Sequence, residues 1–327
     1  MLAGERSGDA LGARLVRTLH AEVAGVIGPA LLDAGVTPLA SIDALSLVGL
    51  AEIVPRLPRL AALMHRLERD IVAWRPDAVL TIDSPSFTLR LAPRLRARGL
   101  RVVHWVAPQV WAWRPHRAAR IHRNIDALAC LFPFEPALFG PKAVFTGHPA
   151  GRAPRSRRPD ALGIAAGSRT DERARLGPLF SEAATRLGMP VVEAVPPGLR
   201  PVVPHATRVD SVAQLAQHVR FALTASGTST LELAVAGVPM VVAYQTSALS
   251  YALARRLIRV PHLALPNLLL GREVVPELVQ DVTVPGLLAR LDSLVAREDA
   301  VSAALLEVRG LLSPDTALSG VARLLQP

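Results

Sequence analysis

The stretch that decides the fold runs from Ala222 to Tyr244 and reads ALTASGTSTLELAVAGVPMVVAY. Residues 220–225 are mostly apolar and predict a buried strand, and residues 226–228 follow it as a tight polar turn. A short helix comes next, and the Gly-Val-Pro at 237–239 ends it and begins a second strand. A strand, a helix and a second strand in this order predict one unit of a doubly wound α/β sheet.

The turn inside this stretch, Ser226-Gly227-Thr228, has the composition of an anion-binding site. Glycine lets the backbone approach a ligand closely, and the first N–H groups of the following helix are free to point at it. Glu232 lies four residues after Thr228 on the same helix face, where a carboxylate can accept hydrogen bonds from a ribose. An ordinary capped helix with a solvated glutamate explains the same residues, and the stretch alone leaves both interpretations open.

The composition indicates two domains with substantial cores, because the 327 residues are 50% hydrophobic and only 20% charged. The net charge is +10, and arginine carries nearly all of it because Lys142 is the only lysine. A basic surplus favours an anionic partner, such as phosphates, acidic lipid headgroups or nucleic acid. Cys130 is the only cysteine, which excludes an internal disulfide and fits a reducing compartment.

The charge pattern argues against targeting and membrane-spanning segments. Glu5, Arg6 and Asp9 stand where a signal peptide would have an apolar core, so we expect none. The longest uncharged run, Leu233 to Ala254, is long enough to cross a bilayer. Glycine, proline and polar residues interrupt this run, which therefore predicts a helix end, a strand, a loop and a helix.

Residues 44–75 predict one or two helices with an apolar face and a basic face. The apolar positions include leucines and Met64, and the basic positions are Arg56, Arg59, Arg66 and Arg69. Either the apolar face packs on the sheet, or it stays exposed and rests on an anionic bilayer.

Polar turns follow the predicted strands in both halves of the chain, where open α/β sheets place their sites. We expect strands at 78–82, 101–106, 127–132, 143–146, 162–166, 191–195 and 220–225. We expect later helices near 210–218, 247–258, 274–280, 284–296, 298–311 and 314–325, with a loop over 266–273. The linker, rich in Arg, Pro and Gly, lies at 151–158 and divides the chain into domains 1–150 and 151–327. We expect a cleft between the domains, and we expect the last helix of the chain to pack back on the N-terminal domain.

A set of ordered segments adds a family resemblance to this pattern. The segments are Ala3–Asp9, Ile82–Pro85, His104–Arg114, Pro133–Glu135, Gly147–His148, Gly167–Arg169, Ala225–Thr228 with Glu232, Leu265–Leu268 and Gly271–Glu273. With them, over about residues 3–280, the chain resembles the lipid-A-disaccharide synthases, glycosyltransferases of the GT-B architecture. The string PQVWAWR at 108–114 is the most specific of these segments. The resemblance implies two Rossmann-like doubly wound α/β domains that face a cleft.

The resemblance also implies a reaction and its partners. The family joins UDP-2,3-diacylglucosamine to 2,3-diacylglucosamine 1-phosphate with inversion, and releases lipid A disaccharide 1-phosphate and UDP. It implies no cofactor, no metal and no nucleic-acid partner, and it allows a homodimer. It places the protein in the cytoplasm, peripherally on the anionic inner face of the cytoplasmic membrane.

The resemblance assigns roles to residues of this chain. Inversion needs one general base on the attacking hydroxyl, and Asp83 is the expected base, with a turn-capping aspartate as the alternative. Arg169 and the backbone N–H groups at Ser226, Gly227 and Thr228 would neutralise UDP, and Glu232 would bind the ribose. Asn267 and Gln280 are further candidates for the donor pocket. The expected acceptor-side residues are Ser7, Asp9, Gln109, Trp111, Trp113 and Arg114, and His148 is expected to be a hinge or core residue.

Three departures from the family pattern leave alternatives open. The first strand is nearly absent, and the shortened segment between Arg169 and Ser226 predicts the loss of a strand–helix unit. Arg6 and Ala107 stand where smaller or more polar residues are common in the family. The alternatives are a UDP-sugar transferase that makes another glycolipid, and a decayed basic protein that binds anionic lipid or nucleic acid.

Overall fold

The computed structural model describes residues 1–45, 53–109, 117–149, 159–196, 198–248, 251–252, 255 and 260–326, without the side chains at 53–57 and 59. The chain divides into two compact units. Unit 1 contains Met1–Pro149 and Asp315–Pro327, and unit 2 contains Ala150–Pro314. The linker predicted at 151–158 and much of the helix predicted at 247–258 lie outside the described residues.

Unit 1 is built on a parallel sheet of seven described strands in the order β3-β2-β1-β4-β5-β6-β7. The strands are β1 (Leu2–Ala3), β2 (Ala24–Ile27), β3 (Thr37–Ser41), β4 (Val79–Ile82), β5 (Val102–Trp105), β6 (Ala127–Cys130) and β7 (Ala143–Phe145). Every residue of β4, β5 and β6 is buried, as expected for strands that helices cover on both faces. The two-residue β1 lies inside the sheet, since Leu2 pairs with Val26 of β2 and Thr81 of β4.

Helices complete unit 1. They are α1 (Arg6–Val16), α2 (Pro29–Asp33), α3 (Ile53–Trp74), α4 (Pro85–Ala97), α5 (Ala118–Asn124), α6 (Glu135–Phe139) and, from the end of the chain, α13 (Ala317–Leu325). Arg101 donates from Nε and Nη2 to the carbonyl of Leu324 at 3.3 and 3.1 Å, and Thr316 Oγ1 donates to the Thr146 carbonyl at 3.2 Å. These bonds fix the terminal helix α13 to the sheet of unit 1.

Helix α3 settles part of the question about its apolar face. Met64, Leu67 and Ile71 are buried in the hydrophobic core of unit 1. Of the two alternatives for this face, exposure is therefore wrong at Met64, because unit 1 provides the apolar surface that this face needs. The side chains of Arg66 and Arg69 are 51% and 77% exposed on the other face.

Unit 2 is built on a parallel sheet of six described strands in the order β10-β9-β8-β11-β12-β13. The strands are β8 (Leu162–Ala165), β9 (Val191–Ala194), β10 (Thr207–Val209), β11 (Phe221–Ala225), β12 (Met240–Tyr244) and β13 (Glu277–Val279). The named helices are α7 (Thr170–Leu187), α8 (Val212–His218), α9 (Thr228–Val235), α10 (Leu265–Leu270), α11 (Val284–Val295) and α12 (Glu298–Leu312). Two doubly wound parallel sheets confirm the predicted fold class.

Two assignments in unit 2 are wrong. Residues 274–280, predicted as a helix, contain strand β13, which pairs with β12 from Val242 to Tyr244. The apolar run there is too short for its pattern to separate a strand from a buried helix. The loop predicted at 266–273 contains most of helix α10, which begins at Leu265 and ends before Gly271, a residue in the left-handed conformation.

The connection between β9 and β10 lies within the segment from Arg169 to Ser226, where the sequence predicts the loss of a strand–helix unit. Its described residues contain no helix, although parallel strands are usually joined by one. The buried carboxylate of Glu193 replaces that support by accepting hydrogen bonds from the N–H groups of Val202 and Val203 at 2.9 and 3.0 Å. Arg173 of α7 donates to the same carboxylate at 2.8 Å and to the Arg200 carbonyl at 2.6 Å. One ion pair therefore anchors the short loop.

Candidate functional site

The strand order of each sheet reverses at one point, and open α/β sheets bind ligands at the carboxyl ends of the strands there. In unit 1 the reversal lies between β1 and β4, which lead into Gly4–Asp9 and Asp83–Ser86. In unit 2 it lies between β8 and β11, which lead into Gly167–Arg169 and Ser226–Thr228. Polar turns that the sequence predicts after the strands of both halves therefore lie at these two switch points.

Asp83 lies directly after β4 in the left-handed conformation, which most non-glycine residues avoid. Its φ is +52° and that of Ser84 is +48°, so two consecutive non-glycine residues are left-handed. The Asp83 carboxylate is half-buried and accepts hydrogen bonds from the Ser84 N–H at 2.7 Å and from Ser7 Oγ at 3.4 Å. Such backbone strain clusters at functional sites, and here it aims a carboxylate beside the turn that begins α1.

A pocket of about 450 Å³ opens at this switch point. Its lining residues are Gly4, Glu5, Arg6, Ile42, Asp43, Leu45, Ser84 and Ser86. Gly4 permits the close approach of the two turns, because a Cβ at position 4 would collide with the Ser84 side chain. Sequence reasoning missed Asp43 and Ile42 because β3 and the turn after it carry no recognisable motif.

Asp9 holds the fold together instead of facing this pocket. Its side chain is 3% exposed, and its two oxygens accept hydrogen bonds from the N–H groups of Gly28, Ala30 and Leu31 at 2.7, 2.9 and 3.2 Å. These bonds satisfy the free amino end of α2. Asp9 therefore has a structural role in unit 1, and its contact with the acceptor stays a prediction.

The remaining acceptor-side candidates are only partly described. Ser7 begins α1 beside Asp83, and Gln109 is exposed after β5. Trp111, Trp113 and Arg114 lie outside the described residues.

His148 lies at the carboxyl end of β7 in an aromatic stack. Its ring lies 5.8 Å from that of Phe132, which stacks in turn on Phe134 at 5.7 Å. Burial, with a smaller effect of the Arg14 charge, lowers the pKa of His148 to about 4. The imidazole is therefore neutral at neutral pH.

Arg169 follows β8 and leaves its guanidinium accessible. Its side chain is 82% exposed and pairs with Glu172 at 3.2 Å. Gly167 permits the turn with a φ of +91°, and its carbonyl accepts a hydrogen bond from Arg173 at 3.3 Å. The turn is thus fixed at one end, and the Arg169 guanidinium lies at its outer side.

The turn after β11 differs from the expected capped helix in one respect. The N-cap of α9 is Gly227, and none of the described side chains caps the helix. Ser226 Oγ donates instead to the carbonyl of Leu263 at 3.0 Å. A Cβ at Gly227 would meet nothing within 4 Å. An eight-residue helix therefore begins beside a glycine with open space around its α-carbon, which suits the close approach of an anion.

Glu232 lies half-buried one turn further along α9. Burial raises the pKa of its carboxyl, and a hydrogen bond from the Ala213 N–H opposes this shift. The carboxylate is therefore held in a site that disfavours its charge, as is frequent where a side chain serves a ligand.

Asn267 and Gln280 support the same region from inside the fold. The fully buried Asn267 amide donates to the Val275 carbonyl and to Glu277, and accepts from the N–H groups of Val274 and Val275. The Gln280 side chain bonds both backbone groups of Thr246. These bonds fix the two side chains within the fold, and their contact with the donor stays a prediction.

The described residues contain neither a cluster of metal-ligating side chains nor a helix suited to cross a membrane. No group of three or more His, Cys, Asp or Glu side chains is placed to hold a metal ion there. Among the described helices, none combines the length and the apolar character that a bilayer crossing requires.

Comparison with known proteins gives consistent sequence matches. The model of the lipid-A-disaccharide synthetase family matches residues 1–187 and 199–301. A lipid-A-disaccharide synthase of Anaeromyxobacter dehalogenans is 40% identical, with 95% of this chain and 92% of that protein covered. The synthase of Gluconobacter oxydans is 40% identical over 88% of this chain and 79% of that protein. The Pseudomonas aeruginosa synthase is 39% identical over 88% of this chain and 86% of that protein.

Solved structures match the fold at low sequence identity. The glycotransferase of kitacinnamycin aligns with a TM-score of 0.69 and 18% identity, covering 100% of this chain and 98% of that one. Acinetobacter baumannii MurG aligns with a TM-score of 0.62 and 15% identity, covering 99% of this chain and 98% of that one. A UDP-GlcNAc 2-epimerase from Neisseria meningitidis, solved with UDP-GlcNAc, aligns with a TM-score of 0.65 and 13% identity. The alignment covers 99% of this chain and 98% of that one.

Proposed function

Because the chain belongs to the lipid-A-disaccharide synthetase family, we propose that it joins two acylated glucosamines during lipid A biosynthesis. The donor is UDP-2,3-diacylglucosamine, the acceptor is 2,3-diacylglucosamine 1-phosphate, and the products are lipid A disaccharide 1-phosphate and UDP. The observation that carries this function is the family match over both units. The chain is thus a glycosyltransferase of the GT-B fold class.

Asp83 is the general base of the proposed mechanism. Its carboxylate takes the proton of the acceptor C6 hydroxyl, and the hydroxyl oxygen attacks C1 of the donor sugar. The bond between C1 and the diphosphate oxygen breaks, its electron pair leaves with UDP, and the configuration at C1 inverts. The strained, half-buried position of Asp83 beside Ser7 supports this role.

The donor diphosphate binds in unit 2 at the switch point between β8 and β11. The N–H groups at the start of α9 and the exposed guanidinium of Arg169 stabilise the negative charge that develops on the departing UDP. Glu232 accepts hydrogen bonds from the ribose hydroxyls. Asn267 and Gln280 act as positioning residues, since they fix the segments beside this turn.

The protein meets its acylated substrates at an anionic membrane surface. Arg66 and Arg69 on the exposed face of α3, together with the half-exposed Trp74, support this attachment. Arg56 and Arg59 belong to the same helix. The homodimer that the resemblance allows stays a prediction.

UDP binding separates a working enzyme from a decayed homologue. We expect calorimetric titration to give a dissociation constant for UDP in the micromolar range, with ADP bound at least tenfold more weakly. A protein that binds neither nucleotide at millimolar concentration, or binds both equally, contradicts the proposed donor site.

A further inference from the structure

Arg6 is a charged residue that the proposed mechanism leaves without a role. It is the first residue of α1 and is exposed, and its side chain lines the pocket between the β1 and β4 turns. No hydrogen bond or ion pair of its guanidinium occurs in the described part of the chain. Among the described residues that line the pocket, it is the only cation.

The position of Arg6 works against the stability of its own helix. The start of a helix carries a partial positive charge, so a cation in the first turn is unfavourable there. Asp9, which lies in the same turn, directs its carboxylate to the start of α2 and makes no hydrogen bond to Arg6. An anion in the pocket would remove this repulsion.

We propose that Arg6 binds the 1-phosphate of the acceptor and thereby selects a phosphorylated glucosamine over a neutral one. The inference rests on the proposed function, because it takes this pocket as the acceptor site. Arginine suits this task, since its planar guanidinium can meet two phosphate oxygens at once.

The other polar groups of the pocket suit the sugar rather than the phosphate. The Asp43 carboxylate accepts a hydrogen bond from Ser41 Oγ at 3.1 Å and has further acceptor positions, which match the hydroxyl and amide N–H donors of an acylated glucosamine. Ser84 connects the pocket to the base, because its N–H binds the Asp83 carboxylate. A pyranose with its C6 hydroxyl at Asp83 presents C1 away from the base, and Arg6 supplies the cation for the substituent there.

The test compares two acceptors, one with the 1-phosphate and one without it. We expect Arg6→Gln to raise KM for the phosphorylated acceptor roughly 10- to 100-fold, the scale of a charged hydrogen bond, with little change in kcat. KM for the dephosphorylated acceptor and for the donor should stay unchanged, and Arg6→Lys should recover part of the loss. Equal changes in KM for both acceptors, or no change for either, would overturn the proposal.

A matched control and a second readout keep the test independent of catalysis. Arg17→Gln makes the same charge change at the exposed far end of α1 and should leave both KM values unaltered. Binding of glucosamine 1-phosphate, measured by calorimetry, should exceed that of glucosamine in the wild type and lose this preference in Arg6→Gln. A wild-type protein that keeps the preference but makes no disaccharide contradicts the proposed function alone. A protein without the preference contradicts the role of Arg6.

Discussion

Asp83 carries the chemistry at the scale of a single residue. Asp83→Asn keeps the shape and the hydrogen bond from the Ser84 N–H but removes the basic oxygen. We expect a loss of about 10²-fold or more in kcat, the usual effect of removing a general base, with unchanged UDP affinity. Steady-state kinetics and UDP titration measure both quantities. Near-normal turnover in this variant would contradict the general-base role and favour the alternative, in which Asp83 only caps the turn.

Arg169 carries the recognition of the diphosphate. Its guanidinium is exposed and, among the residues that the structure describes, pairs with Glu172 alone, so it can reach a phosphate. We expect Arg169→Ala to weaken UDP binding roughly 10- to 100-fold in a calorimetric titration. Arg186→Ala, which removes an exposed cation from the far end of α7, serves as the control. If the two variants bind UDP equally well, Arg169 has no role at the diphosphate.

Helix α9 contains a half-buried carboxyl group, that of Glu232, which lowers the stability of the protein at neutral pH and is proposed to bind the donor. Burial raises the pKa of Glu232, so its contribution to stability is present below the ordinary carboxyl pKa and is lost as the pH rises through the folded-state pKa. Glu232→Gln should therefore unfold at a higher denaturant concentration than the wild type at pH 7, by a margin that shrinks on acidification. The same variant should bind UDP more weakly. A Gln variant that is less stable at pH 7 would contradict this account of the burial.

The loop between β9 and β10 depends on one buried ion pair. Arg173→Ala leaves the Glu193 carboxylate buried without its cation and should reduce the free energy of unfolding by about 3–5 kcal/mol. The exposed pair of Arg186 and Glu182 on the same helix provides the comparison, and Arg186→Ala should reduce that energy by less than about 1 kcal/mol. Chemical unfolding of both variants measures the difference. Similar losses in the two variants would show that the pair does not anchor the loop.

The sequence predicted those elements whose signal is local. Continuous apolar runs such as Val79–Ile82 and Phe221–Ala225 were identified as strands, and the turns that follow them lie at the switch points. Strand β10 was not predicted, because its three residues are mostly polar and exposed. The roles of Asp9 and Asn267 depend on backbone groups that only the tertiary fold brings close. A polar residue in a family motif looks the same in sequence whether it binds a ligand or a buried N–H group.

Membrane attachment belongs to the scale of the whole molecule. The net charge of +10 and the arginines of α3 predict binding to anionic vesicles that weakens with added salt, since each arginine near the surface adds about 1 kcal/mol. Replacing Arg56, Arg59, Arg66 and Arg69 with Gln should remove most of the salt-sensitive part and preserve turnover on detergent-dispersed substrates.

The control for membrane attachment makes the same charge change in unit 2. It replaces the exposed arginines Arg175, Arg186, Arg208 and Arg290 with Gln. Vesicle sedimentation compares the two variants with the wild type. Equal losses in both would assign the binding to net charge alone, and a wild type that ignores anionic vesicles at low salt would exclude this route to the lipids.

The formation of the disaccharide tests the central claim most directly. The protein is incubated with UDP-2,3-diacylglucosamine and 2,3-diacylglucosamine 1-phosphate, together and singly, and the products are identified by mass spectrometry. The account predicts the acylated disaccharide 1-phosphate, with one UDP per disaccharide, only when both substrates are present. A folded protein that binds UDP but yields no disaccharide, or that transfers the sugar to another acceptor instead, would contradict it.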